Sequence, residues 1–101
     1  MNPASGTLYG LGIGPGDPEL ITLKALKYLR AAPVLAYPAP LKGESLARRI
    51  AQPHLPGEQT EIIIRTSYDK NRQPVETAYD RAAEEISGHL SEGRDVALLC
   101  L

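Results

Sequence analysis

The stretch Thr7-Leu8-Tyr9-Gly10-Leu11-Gly12-Ile13-Gly14-Pro15-Gly16-Asp17-Pro18-Glu19 constrains the fold of this chain more than any other. An apolar strand runs into a glycine-dense turn, and the turn opens directly into an amphipathic helix. That order belongs to open α/β sheets, whose small ligands bind at the mouth of such turns. The glycines permit positive φ and close backbone approach, a freedom that a plain tight connection also uses. Asp17 followed by Pro18 suits a helix N-cap and first-turn pair.

The turn does not suit a phosphate. The dinucleotide fingerprint spaces its glycines at the first, third and sixth places of a run. Counting from Gly10 puts Pro15 at the sixth place, and counting from Gly12 puts Asp17 there. The phosphate-cradling loop ends in Gly-Lys-Ser/Thr, whereas the first lysine here is Lys24. Pro15 lacks the N–H that a phosphate would use. Asp17 sets a carboxylate where a bound anion would otherwise sit. The loop therefore prefers a ligand that is neutral or cationic near the turn. S-adenosylmethionine (SAM) carries a sulfonium and no phosphate, and it meets that requirement.

With 101 residues the chain holds one domain at most, 1–101. A formal charge of −1 with mixed signs excludes the basic footprint of a nucleic-acid binder. The single cysteine, Cys100, excludes an intramolecular disulfide and a multi-cysteine metal site. No signal-peptide pattern opens the chain, and no apolar run reaches membrane-spanning length. The expected setting is cytoplasmic, without a membrane partner.

Along the chain, strands and helices alternate. Thr7 to Gly12 reads as a first strand, buried on both faces. Pro18 to Ala31 reads as a helix with Leu20, Ile21, Leu23, Leu26 and Leu29 on its apolar side. Val34 to Tyr37 is a short second strand closed by Pro38, and Ala39 to Gly43 a loop. Glu44 to Gln52 is a short helix carrying Leu46, Ala47 and Ile50 and stopped by Pro53. Glu61 to Arg65 is a third strand, with Ile62-Ile63-Ile64 at its centre. Thr66 to Pro74 is a polar loop. Val75 to Glu92 is the clearest helix, its stripe Val75, Tyr79, Ala82, Ile86 and Leu90 facing a core, with Gly93 as its C-terminal cap. Asp95 to Leu101 begins a fourth strand. The alternation implies right-handed crossovers and a parallel sheet with flanking helices, an α/β fold. Because the sequence stops inside an apolar strand, it reads as a fragment.

The run Tyr9-Gly10-Leu11-Gly12-Ile13-Gly14-Pro15-Gly16-Asp17-Pro18-Glu19-Leu20-Ile21-Thr22-Leu23-Lys24-Ala25-Leu26 resembles the opening of the tetrapyrrole (corrin/porphyrin) methylases. Within that family the likeness is greatest to the enzymes that methylate C20 of precorrin-2 in cobalamin biosynthesis. Val34-Leu35-Ala36-Tyr37-Pro38, Ala78-Tyr79-Asp80 and Gly93-Arg94-Asp95-Val96-Ala97-Leu98-Leu99-Cys100 support it. The resemblance implies the amino-terminal domain of a two-domain, class III SAM-dependent methyltransferase, here truncated. It implies SAM in the trough between domains, a tetrapyrrole substrate over the open side, and a homodimer. Carried over by position, Gly14, Pro15 and Gly16 form the cofactor-side turn and Asp17 faces the substrate cleft. Methyl passes from the sulfonium to the meso carbon C20. No residue is identified as the acceptor of the proton then lost, so no catalytic residue is assigned.

Three departures stand out. Uroporphyrinogen methylases, an alternative within the family, carry an aspartate just after the second strand's tyrosine, where this chain has Pro38. The C20 enzymes show a proline-methionine pair after the third strand, where this chain has Arg65-Thr66-Ser67-Tyr68. The family continues past the fourth strand with a Gly-Asp-Pro loop, and this sequence ends at Leu101. Arg65, Lys70 and Arg72 fall near one loop; Arg65 and Arg72 are the candidates for pairing with tetrapyrrole carboxylates. His54 and His89 have no second ligand at metal spacing and read as surface residues. Cys100 reads as a buried small apolar residue. The fragment alone is expected to be inactive. A non-catalytic module that oligomerises through an open sheet edge is the rival from another class.

Overall fold

In a computed structural model, residues 5–13, 21–66 and 74–100 are described. Four strands form one parallel sheet: β1 (Leu8–Gly12), β2 (Val34–Pro40), β3 (Thr60–Thr66) and β4 (Val96–Cys100), in the spatial order β1-β4-β2-β3. Three helices connect them: α1 (Leu23–Ala31), α2 (Leu46–Ala51) and α3 (Pro74–Ser91), with a single 3₁₀ turn at Gln52–His54 after α2. The α/β class and the parallel sheet are those implied by the alternation of elements.

The chain steps outward from β1 to β2 to β3 and then returns to insert β4 between β1 and β2. Two cores follow from that reversal. On one face Leu11, Ile13, Leu35, Tyr37, Ala97 and Leu99 pack against α1 and α2 through Ala25, Leu29, Ala47 and Ile50. On the other, Val34, Ala36, Ile62, Ile64 and Val96 pack against Ala82 and Ile86 of α3. Alternate residues of the two central strands, β2 and β4, thus serve opposite cores, the period-two rule of a strand covered on both sides.

Several boundaries depart from the sequence reading. The first helix begins at Leu23, not Pro18. Thr22 is extended (φ −66°, ψ 153°) and its side chain accepts from Ala25 N–H at 3.1 Å, so Thr22 is the N-cap. The anticipated cap pair Asp17–Pro18 lies outside the described residues. The buried stripe differs too: Ala25 and Leu29 are buried, and Leu23 is 85% exposed. β1 is not buried on both faces. It is the edge strand, and α3 leaves uncovered the face that carries Leu8, Gly10 and Gly12. α2 is shorter than expected, starting after its N-cap Ser45, and Leu46 is exposed. Tyr79 is 50% exposed rather than core, because it stands beyond the end of the face that Ala82 and Ile86 bury. Cys100 is exposed as well.

Local chemistry at the helix ends is satisfied as the residue types demand. Gln59 Nε2 donates to Leu29 and Ala32 C=O, both at 2.8 Å, closing the C-terminal end of α1. Gly93 has φ +84° and donates to Leu90 C=O at 3.0 Å. That is the left-handed glycine cap expected after α3. Gly6 packs so closely on Arg94 that an added Cβ would lie 2.2 Å from its carbonyl oxygen.

Candidate functional site

β2 is a central strand and yet contains two prolines, Pro38 and Pro40. Proline removes a ladder donor and is normally confined to edges and bulges. The register explains how it is tolerated. Thr60 N–H donates to Pro33 C=O at 3.0 Å, so odd-numbered residues of β2 direct their main-chain groups to β3 and even-numbered ones to β4. Both prolines therefore face β4. Pairing of β2 with β3 runs on to Pro40↔Thr66, whereas pairing with β4 stops at Ala36↔Leu98. The next rung would need the N–H that Pro38 lacks.

Past that point β2 and β4 part, and a crevice of about 340 Å³ opens, lined by Pro38, Ile64, Tyr79, Leu98, Leu99 and Cys100. It lies at the carboxyl ends of the strands. Open α/β sheets bind their ligands there. The lining is almost wholly apolar, with one phenol and one thiol at hand. Exposure of Tyr79 and Cys100 is the exposure of this crevice.

The carbonyls of the same β2 residues are held by side chains. Ser45 Oγ donates to Pro38 C=O and accepts from Arg48 N–H at 3.2 Å as the cap of α2. Arg65 Nη1 donates to Pro40 C=O at 2.9 Å and to Gly43 C=O at 3.0 Å. Gly43, at φ +98°, is the residue that turns this loop. Arg65 also borders a hollow of about 170 Å³ with Arg48, Arg49, Ser45 and Glu44. Of the residues expected to act, Arg65 is thus placed at the carboxyl end of the sheet, binding main chain. Gly14, Pro15, Gly16, Asp17, Lys70 and Arg72 lie outside the described residues.

A polar cluster that sequence reasoning missed ties β2, β3 and α2 together. Tyr37 Oη donates to Glu61 Oε1 at 2.6 Å, while Arg48 reaches the same carboxylate through Nε at 2.7 Å and Nη2 at 3.1 Å. Burial, and then the bond to Glu61, push the Tyr37 phenol up to about 12. The hydrogen bonds from Arg48 hold the Glu61 carboxyl below its ordinary range, and Glu61 in turn raises Arg48. Tyr37 alternates onto a buried face and its hydroxyl needs a partner, which was the available signal. The identity of that partner depends on parallel pairing between residues far apart in sequence.

A larger hollow, about 480 Å³, follows β1 from Leu8 to Gly12 and is closed by Thr22, Lys24, Ala25 and Tyr28. The Tyr9 and Tyr28 rings stack in it with centroids 4.2 Å apart. It runs along the free edge of β1 and is a strand-edge groove, not an end crevice. His89 Nδ1 accepts from Arg94 Nε at 2.8 Å, a structural contact. Among the described residues no group of His, Cys, Asp and Glu could hold a metal, and no helix is long and apolar enough to cross a membrane.

The solved structure of uroporphyrin III C-methyl transferase from Thermus thermophilus superimposes with a TM-score of 0.63 at 26% identity, over 93% of this chain and 35% of that one. Cobalamin biosynthesis protein CobIJ of Mycobacterium bovis is 43% identical over 104 residues, 95% of this chain and 20% of that protein. Precorrin-2 C(20)-methyltransferase of a Sinorhizobium species is 38% identical over 102 residues, 93% of this chain and 42% of its own length. The chain therefore spans between a fifth and about two fifths of these curated relatives. A sequence profile of the Tetrapyrrole (Corrin/Porphyrin) Methylases matches residues 7–101, which include all four strands, so this chain belongs to the tetrapyrrole (corrin/porphyrin) methylases.

Proposed function

We propose that this chain serves SAM-dependent methyl transfer to C20 of precorrin-2, or of its cobalt complex, in cobalamin biosynthesis. The observation that carries the reading is the apolar crevice between β2 and β4 at the carboxyl edge of the sheet. The 38% identity to a precorrin-2 C(20)-methyltransferase across nearly the whole chain supports the choice of carbon. When bound, SAM supplies an electrophilic methyl on a sulfonium, and the electron-rich macrocycle supplies the nucleophile. What remains for the protein is alignment of donor and acceptor away from water. Pro38, Ile64, Leu98 and Leu99 provide apolar walls for that purpose, with no ammonium or guanidinium among them to repel a sulfonium.

In this reading Gly14, Pro15 and Gly16 form the cofactor-side turn, and Asp17, Arg65 and Arg72 meet the substrate. Arg65 commits Nη1 to the loop carbonyls, and among the described residues its Nε and Nη2 carry no hydrogen bond that would compete with a peripheral carboxylate of the tetrapyrrole. The second domain, a homodimeric assembly, a cytoplasmic setting and the inactivity of residues 1–101 alone belong to the same proposal. The test is methyl transfer by the protein that contains this chain, with labelled SAM and precorrin-2, the product carbon identified by NMR. Label at C20 is the expected result. Label at another ring carbon, or on uroporphyrinogen, would move the assignment to a different methylase of the family.

A second reading has one observation in its favour. The unpaired edge of β1, beside a bare strand face, suits a module that oligomerises. Sedimentation of the chain as a stable oligomer, with no affinity for SAM, is its expected result.

A further inference from the structure

We propose that Pro38 is a positioning residue: it acts as a wedge that keeps β2 and β4 apart, so that the carboxyl-end crevice stays open and the Leu99 carbonyl stays free for the crevice's occupant. The ladder itself carries this. Val96 N–H donates to Thr7 C=O and Ile13 N–H to Cys100 C=O, so even-numbered residues of β4 face β1, while Ala97 and Leu99 face β2. Continuing the register beyond Ala36↔Leu98, the donor due to meet Leu99 C=O is the main-chain nitrogen of residue 38. In proline that nitrogen bears no hydrogen.

The other half of the rung is also withdrawn. Pro38 C=O points toward β4 but accepts from Ser45 Oγ instead, and Pro40 C=O accepts from Arg65. Two side chains, Ser45 at the N-cap of α2 and Arg65 of β3, thus hold the carbonyls of the end of β2 that face the β4 side. Leu99 is almost fully buried and lines the crevice, and among the described residues no donor from β2 meets its carbonyl. A buried carbonyl without a donor is a costly group to leave unpaired. It favours an occupant that brings an N–H or ammonium donor to an otherwise apolar site.

The part of this inference that concerns ligand binding rests on the proposed methyltransferase reading, and the test separates the two. Pro38→Val and Pro38→Ala each restore an N–H; the first conserves side-chain bulk and the second does not. In both, the new amide at position 38 is expected to exchange with solvent about tenfold more slowly than an unbonded strand-end amide. The Leu99 carbonyl carbon is expected to shift in the NMR spectrum as it gains a donor, and the melting temperature to rise. SAM affinity of the protein that contains this chain, measured by calorimetry, is expected to fall about tenfold, the scale of one lost hydrogen bond. A fast-exchanging amide at position 38 in both variants overturns the wedge whatever SAM does. Weaker binding in Pro38→Ala alone would make side-chain volume the cause and also overturn it. Protected amides with no SAM binding even by the protein that contains this chain with Pro38 intact would uphold the wedge and sink the methyltransferase reading.

Discussion

The two halves of β2 make the most instructive comparison in this molecule. Val34–Ala36 is paired on both sides and buried on both faces. Tyr37–Pro40 is paired to β3 alone, and side chains take the main-chain groups that β4 would have taken. One half is fold and the other is site, within seven residues of a single strand. What divides them is which partner receives each carbonyl and whether an N–H exists, not hydrophobicity, since both halves are apolar.

Three substitutions or conditions sharpen the contrast, in falling order of effect. Leu35→Ala opens a cavity in the fully paired half, at a residue with no exposure, and is expected to cost about 2–5 kcal/mol. Chemical denaturation measures this, and a loss below about 1 kcal/mol would show that this half is not the core it resembles. Ser45→Ala acts on the splayed half. It removes the cap of α2 and the bond to Pro38 C=O, and is expected to cost about 1–2 kcal/mol. Amides of α2's first turn should lose hydrogen-exchange protection, while those of Val34–Ala36 keep theirs.

The smallest effect is the pH dependence of the clamp between Tyr37, Glu61 and Arg48. Arg48 depresses the Glu61 carboxyl, so its contribution is complete above the unfolded carboxylate value and disappears as pH falls through the lower folded one. The Tyr37 phenol rises from 10.0 to about 12. Its contribution is complete below 10.0 and is lost as pH climbs between those values. The ion pair is about one third exposed, so solvent screening limits the acid arm to about 0.5 kcal/mol. Urea midpoints followed across pH should fall at both extremes, and Glu61→Gln should flatten the acid arm. An unchanged acid arm in that variant would assign it to other carboxylates.

Much of the fold was legible in the chain because its signals are local. The β-branched run Ile62-Ile63-Ile64 fixed a strand, and Ala82, Ile86 and Leu90 marked the buried face of α3. Gly93 marked its end. Misplaced boundaries came from competition between equally local signals. Asp17 and Thr22 are both good caps, and the geometry of α1 selects Thr22. Pro38 reads as a strand terminator only if its missing N–H faces a partner that the strand needs. Here it faces the side on which β2 gives up its partner.

By itself the sequence determined the alternation of elements, the parallel α/β class and the family, since each depends on residue type at short spacing. Tertiary structure alone decided that β4 enters between β1 and β2, that Tyr37 meets Glu61, and that Arg65 secures the loop carbonyls. It also decided that Pro38 faces β4, and so where the crevice opens. Those outcomes depend on strand order and register, which bring together residues tens of positions apart and which no local pattern encodes.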